Sequence, residues 1–283
     1  MGRSTGPLRD RAEGGDAPGA SSPATARAHM KVRVLGCSGG IGAGMRTTAL
    51  LVDHDILIDA GTGVGDLTLE QLARIDHIFV THSHLDHVAS IPFLVDTVCW
   101  MRDRPIRVHA IAETLRTLRE HLFNWKLWPD FTQIPDPARP ALEFHEVEVG
   151  RTVELGGRRI TPLPADHTVP AVGYALQGAG GALAFTGDTQ GGAALWEAVN
   201  ALPELRYLII ETAFSNKERA IAAASRHLCP ATLAEQLGLM RGTPEVFVTH
   251  LKPGEVALTM REVSQSAGRW KPRMLENDHE FSL

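Results

Sequence analysis

Cysteine is scarce in this chain: three in 283 residues, Cys37, Cys99 and Cys229, odd in number and far apart. That spacing supports neither a disulfide framework nor a paired-thiolate zinc site, and it fits a reducing cytoplasm. Long apolar runs are missing as well. With no stretch of about 18 uninterrupted apolar residues, no membrane span is expected. Positive charge is also short, 28 Lys and Arg against 33 Asp and Glu for a net charge of −5. This argues against nucleic-acid binding driven by bulk charge, so an RNA partner would need a local basic patch. The first 29 residues, "MGRSTGPLRDRAEGGDAPGASSPATARAH", hold no apolar run; they cannot form a secretory signal and are expected to be disordered.

From Met30 onward, patterning appears. At 43% apolar and 22% charged residues, the stretch 30–283 can bury the core of one large domain or of two intimately packed halves. "KVRVLGCSGG" reads as a buried strand running into a glycine turn, "TALLVDHDILIDAGTG" as a strand pair, "LTLEQLARI" as a short helix and "DHIFVTHSH" as a further strand. A strand at "IRVHAIAE" and a helix through "TLRTLREHLF" precede an aromatic insertion near 121–140, "NWKLWPDFTQIPDPARP", whose prolines break regular structure. Strands return at "LEFHEVEV", "RRITPLPADH", "VGYALQG" and "GALAFTGD". The last third alternates helix "GGAALWEAVNAL", strand "RYLIIETA", helix "CPATLAEQLGLM", strand "EVFVTHL" and helix "PGEVALTMREVSQSA". Such a mixture indicates a layered α/β fold.

The densest chemistry is in "VTHSHLDHVASIP", with His82, His84, Asp86 and His87 within six residues. If the strand runs through this segment, His82 and His84 share a face at its end, while Asp86 and His87 follow in the turn that starts a helix. Imidazoles and a carboxylate then converge from adjacent levels, as two neighbouring metal ions require. More such residues follow apolar runs elsewhere: His167 after "RRITPLPAD", Asp188 after "GALAFTG" and His250 after "EVFVT". Nitrogen and carboxylate ligands without thiolate suit Zn²⁺, with Mn²⁺ or Fe also compatible. Two ions about 3.5–4 Å apart clamp an attacking water and a leaving oxygen, and lower the water's pKa toward about 7.

The HxHxDH run, the later histidine, the TGD aspartate and the THL histidine together resemble the metallo-β-lactamase superfamily over essentially residues 30–283. The resemblance implies an αββα sandwich of two mixed sheets with the metals at one edge. It assigns His82, His84 and His167 to one ion and Asp86, His87 and His250 to the other, with Asp188 bridging, and it implies hydrolysis. Three local features resemble the class II cyclic-nucleotide phosphodiesterases: "THSHLDHVASIPFLVD", the aromatic "LREHLFNWKLWPDFTQIP", and "ETAFSN" followed by "SRHLCPATLAEQL". The third is shared with the related tRNA 3′-endonuclease RNase Z, and it places Glu211 and His227 beside the metals.

That resemblance implies a dinuclear-metal phosphodiesterase converting cAMP or cGMP to the 5′-nucleotide. An RNase Z-like endonuclease and a non-catalytic metal-binding regulatory protein are the alternatives. In the reaction His227 can protonate the leaving oxygen, Glu211 can orient it, and Asp86 can accept the nucleophile's proton. The bland alternatives are a capping role for His227 and a surface strand-end position for Glu211. Asp59 in "ILIDAGTG" is expected to be a structural support near the site, and His109 and His145 core or surface residues. His121, Trp125 and Trp128 are the candidate substrate contacts; a packing staple and a homodimer contact compete with a base-stacking lid for the aromatic segment. "GCSGGIGAG" lacks the P-loop lysine and reads as a tight turn near the metal edge.

Overall fold

The computed structural model describes residue 2 and residues 28–283, so the extension expected to be disordered falls almost wholly outside the described residues. Two seven-stranded sheets carry the fold. The first runs, in spatial order, Glu280–Ser282, Lys31–Gly36, Ala49–Val52, Ile56–Ile58, His77–Phe79, Ile106–Ala110 and Leu142–Glu146. The second runs Arg273–Met274, Glu245–Thr249, Leu205–Glu211, Gly181–Phe185, Ala171–Gly178, Arg158–Ala165 and Val153–Leu155. Each sheet is antiparallel in one half and parallel in the other.

The central strands are apolar on both faces because both are covered. Between the sheets lie Val32, Val34, Ile56, Ile58 and Phe79 from one side and Val172, Tyr174, Phe185, Ile209 and Phe247 from the other. Helices Ser90–Val98 and Ala112–His121 cover the outer face of the first sheet with Leu94, Val95, Leu115 and Leu118. Helices Ala193–Asn200, Pro230–Leu237 and Val256–Ala267 cover the second with Leu195, Trp196, Leu233, Leu237 and Val263. The layers are therefore helix, sheet, sheet, helix: the metallo-β-lactamase fold.

This arrangement decides where the chemistry goes. Gly181–Phe185, Leu205–Glu211 and Glu245–Thr249 are adjacent and parallel, so their C-terminal ends share one edge. Asp188, Glu211 and His250 come off that edge. On the first sheet the strand expected to carry His82 and His84 stops earlier, at Phe79. Val80 N still donates to His109 O at 2.8 Å. Thr81 N, however, turns to the Asp59 carboxylate at 2.7 Å instead of a neighbouring strand. His82 thus lies in a bend, and His84 is the N-cap of the short helix Leu85–Val88.

Two features were not foreseen. Glu280–Ser282 pairs antiparallel with Lys31–Gly36 and completes the first sheet's edge. The aromatic insertion is also more ordered than its prolines implied. Asn124 Oδ1 accepts from Lys126 N and Leu127 N, Trp125 N donates to Trp128 O, and Pro135–Asp136 pairs with Arg139–Pro140.

Candidate metal centre

The structure brings all seven expected ligands together. His82, His84 and His167 form one group and Asp86, His87, Asp188 and His250 a second; within each, the ligand atoms lie within 4.8 Å of one another. In the first, His82 Nε2 is 3.0 Å and His167 Nε2 is 3.2 Å from His84 Nδ1. In the second, Asp188 Oδ2 stands 3.4 Å from His87 Nε2 and 3.2 Å from His250 Nε2. The same oxygen is 3.8 Å from His82 Nε2, which puts Asp188 between the groups. Gly187 makes that placement possible, with φ at +60° and room for a Cβ closed off by Val172 O at 2.9 Å.

A hydrogen-bond network fixes how the imidazoles face the centre. Asp59, fully buried, accepts from Thr81 N, Thr81 Oγ1 and His87 Nδ1, the last at 2.7 Å. Because the Thr81 hydroxyl donates to Asp59, it accepts from His82 Nδ1 at 3.0 Å. His167 Nδ1 donates to Arg226 O at 3.3 Å. Each bond places the ring proton on Nδ1 and leaves the Nε2 lone pair aimed into the cluster, as second-shell partners of metal ligands do. His87 Nε2 is buried and has no hydrogen-bond partner among the described residues. An orphaned lone pair in this donor set fits a divalent cation. Asp59, Arg226 and His250 have φ of +57°, +52° and +61°, so non-glycine residues occupy the left-handed region at three points around the centre.

Electrostatics agree with that fit at four of the five imidazoles, while a cation at His87 would have to displace a proton. Burial lowers the pKa of His82 well below its ordinary value, lowers that of His84, and brings His167 to about 4 and His250 to about 3. These rings are neutral, the form that ligates. His87 goes the other way: burial opposes its proton, but Asp188 and Asp59 outweigh it. Burial works to raise Asp188, yet His250 and His87 hold it well below the usual carboxylate range.

Glu211 and His227 flank the cluster. Glu211 is fully buried, so the surface alternative does not hold. It accepts from His227 Nδ1 at 2.7 Å and from the backbone of Thr189, Ala213 and Leu228. The His227 ring is stacked on His250, with centroids 5.2 Å apart and planes at 17°, and is 4.8 Å from His167. It does not cap the helix Pro230–Leu237, whose N-cap is Cys229.

The candidate substrate contacts differ in how they are held. Trp128 packs partly buried against the core cluster that contains Phe123 and Phe131, with its ring 5.2 Å from that of Phe93, as the packing-staple alternative requires. His121 is exposed, and its ring nitrogen lies 3.8 Å from Glu120. Trp125 alone of the three keeps an exposed indole, 62% accessible. As expected, His109 is a core residue and His145 a partly exposed one beside Glu143. The roles of Thr81 and Arg226 were missed, because one works through a hydroxyl and the other through a backbone carbonyl.

Known proteins resemble this chain in sequence and in fold. A model described as the beta-lactamase superfamily domain matches residues 54–266. A ribonuclease Z of Thermococcus kodakarensis is 30% identical over 127 residues, 43% of this chain, and the match spans only 37% of that protein's length. A probable 3′,5′-cyclic-nucleotide phosphodiesterase of Yersinia pestis is 24% identical over 279 residues, 80% of this chain and 79% of that one. The crystal structure of unliganded yeast PDE1 superposes with a TM-score of 0.73 at 16% identity, covering 90% of this chain and 100% of that one. No helix among the described residues is long and apolar enough to cross a membrane. With its family domain over most of its length and its two-sheet sandwich, the chain belongs to the beta-lactamase superfamily.

Proposed function

We propose that this chain is a phosphodiesterase that hydrolyses 3′,5′-cyclic nucleotides, cAMP or cGMP, to 5′-nucleotides. The observation that carries the reading is the His227–Glu211 pair, an imidazole 2.7 Å from a buried carboxylate at the rim of the metal cluster. Burial works against a proton on His227, but the hydrogen bond and charge of Glu211 outweigh it and raise its pKa. A protonated imidazole in that place suits a poor leaving group such as a ribose alkoxide.

In this reading His82, His84 and His167 would hold one divalent ion and Asp86, His87 and His250 another, with Asp188 placed to serve either; the nitrogen and carboxylate donors would suit zinc. Two such ions, when bound, polarise phosphoryl oxygens and lower the pKa of an attacking water. Asp86, whose side chain is 28% accessible, accepts that water's proton. As the bond from phosphorus to O3′ breaks, His227 gives its Nε2 proton to O3′. Glu211 stabilises the imidazolium until then and keeps the ring turned toward the leaving group.

The cyclic-nucleotide preference is supported by the Yersinia relative, whose match extends over most of both chains. The identity to ribonuclease Z favours a second reading, a tRNA 3′-endonuclease. Against it, the segment after His121 is anchored inward by Phe123 and Phe131 and carries no basic arm. A substrate panel of cAMP, cGMP, bis(p-nitrophenyl) phosphate and precursor tRNA separates the readings. Cleavage of the cyclic nucleotides supports the first, and cleavage of precursor tRNA alone supports the second. No turnover of any of them by metal-loaded protein would leave the regulatory alternative.

A further inference from the structure

The glycine turn "GCSGG" and the loop "THLKPGE" are locked together more closely than the ligand role of His250 demands. Gly39 N donates to Leu251 O at 3.0 Å and His250 N to Cys37 O at 2.8 Å. A Cβ on Gly39 would lie 2.4 Å from His250 O, and one on Gly40 2.9 Å from Pro253 Cδ. Only glycines allow that approach. Its result is that Lys252 Nζ reaches Gly39 O at 2.7 Å. At the other end of the residue, Lys252 N donates to Ala213 O at 3.1 Å, and Ala213 N donates to Glu211 Oε2 at 3.1 Å. The lysine is held at both ends between the final ligand loop and the segment that carries Glu211.

The ammonium has three donors and spends one on Gly39 O. Among the described residues no carboxylate pairs with it, although Asp86, Asp188 and Glu211 line the neighbouring cluster. Gly39, whose carbonyl it bonds, closes on the His250 ring, where a Cβ would lie 3.0 Å from His250 Cδ2, so the ammonium stands beside that residue. A half-buried cation with no carboxylate partner among the described residues thus has donors left for an anionic ligand.

We propose that Lys252 binds a non-bridging oxygen of the substrate's phosphoryl group, on the side of the centre where His227 and His250 stack. The glycine turn is then a bracket that fixes this cation before substrate arrives, and a compact ammonium is suited to a single phosphoryl oxygen. The inference rests on the phosphodiester reading.

Isothermal titration of inorganic phosphate into zinc-loaded protein tests it, with Lys252→Gln and Lys252→Arg beside the wild type and with metal content and thermal midpoint measured for each. The Gln amide can still donate to Gly39 O but carries no charge. Lys252→Gln should weaken phosphate binding about 10–100-fold, as loss of a charge-assisted hydrogen bond does. It should raise the KM for cAMP by a similar factor and leave metal content and midpoint unchanged. Lys252→Arg should recover most of the affinity. Wild-type phosphate affinity in the Gln variant overturns the inference, as does a loss that comes only with lost metal or a lower midpoint, which makes Lys252 a clamp. If the wild type binds phosphate through Lys252 but leaves cAMP intact, the substrate reading fails while the lysine's role stands.

Discussion

Asp59 Oδ2 lies 2.7 Å from His87 Nδ1, and neither side chain is exposed at all. The contact fixes the tautomer and the orientation of a buried ring whose other nitrogen points into the metal cluster. Asp59→Ala should therefore lower zinc affinity about 10–100-fold without removing any ligand. Competition with a chromogenic chelator measures this, and unchanged affinity would show that Asp59 only packs.

His227 makes a different demand. His227→Ala should slow cAMP turnover by about 10²–10⁴-fold, the usual worth of a general acid. A bis(p-nitrophenyl) ester, whose leaving group needs no proton, should lose far less. Equal losses on the two substrates would assign His227 to phosphate binding or to structure.

His109 offers a test of stability alone. Its ring is stacked on Phe79 at 4.4 Å, and its Nε2 lies 2.9 Å from His77 Nδ1. Burial foremost, with the neighbouring imidazoles, lowers its pKa from 6.5 to about 3. The folded state thus binds fewer protons than the unfolded one between those values. The stability this ring contributes is fully present above pH 6.5 and is lost as pH falls toward 3, by up to about 1.4 kcal/mol per pH unit. In metal-saturated protein, His109→Gln should flatten the fall of denaturant midpoint between pH 6.5 and 5. Parallel curves for the two proteins would contradict this.

Trp125 tests the remaining lid candidate. If its exposed ring stacks on the base, Trp125→Ala should raise the KM for cyclic nucleotides about 5–150-fold, the worth of one stacking contact. A base-free diester should be unaffected. A change from dimer to monomer on light scattering would assign the exposed indole to an interface instead.

The seven candidate ligands were legible because four crowd one short motif and His167, Asp188 and His250 each follow an apolar strand, and the fold brings those strand ends together. Their supports were less so. Asp59 sits 28 residues from His87, and Thr81 looks like any strand-end threonine until the tertiary fold makes it a relay. Arg226 acts through its carbonyl, for which side-chain identity gives no signal. The strand Glu280–Ser282 is too short to show a period. In the aromatic segment the spacing of Phe123, Trp125, Trp128 and Phe131 could not say which rings turn inward; packing against Phe93 and the core decided that for Trp128.

If the cluster, with His227 beside it, cleaves the 3′ ester of a cyclic nucleotide, the products of incubation reveal it. Chromatography of cAMP and cGMP after incubation with zinc- or manganese-saturated protein, and with the same protein stripped by chelator, measures this most directly. The account predicts that the 5′-nucleotide appears as the product with metal and is absent after stripping. Intact cyclic nucleotides in the presence of a verified metal load, or the 3′-nucleotide as product, would contradict it.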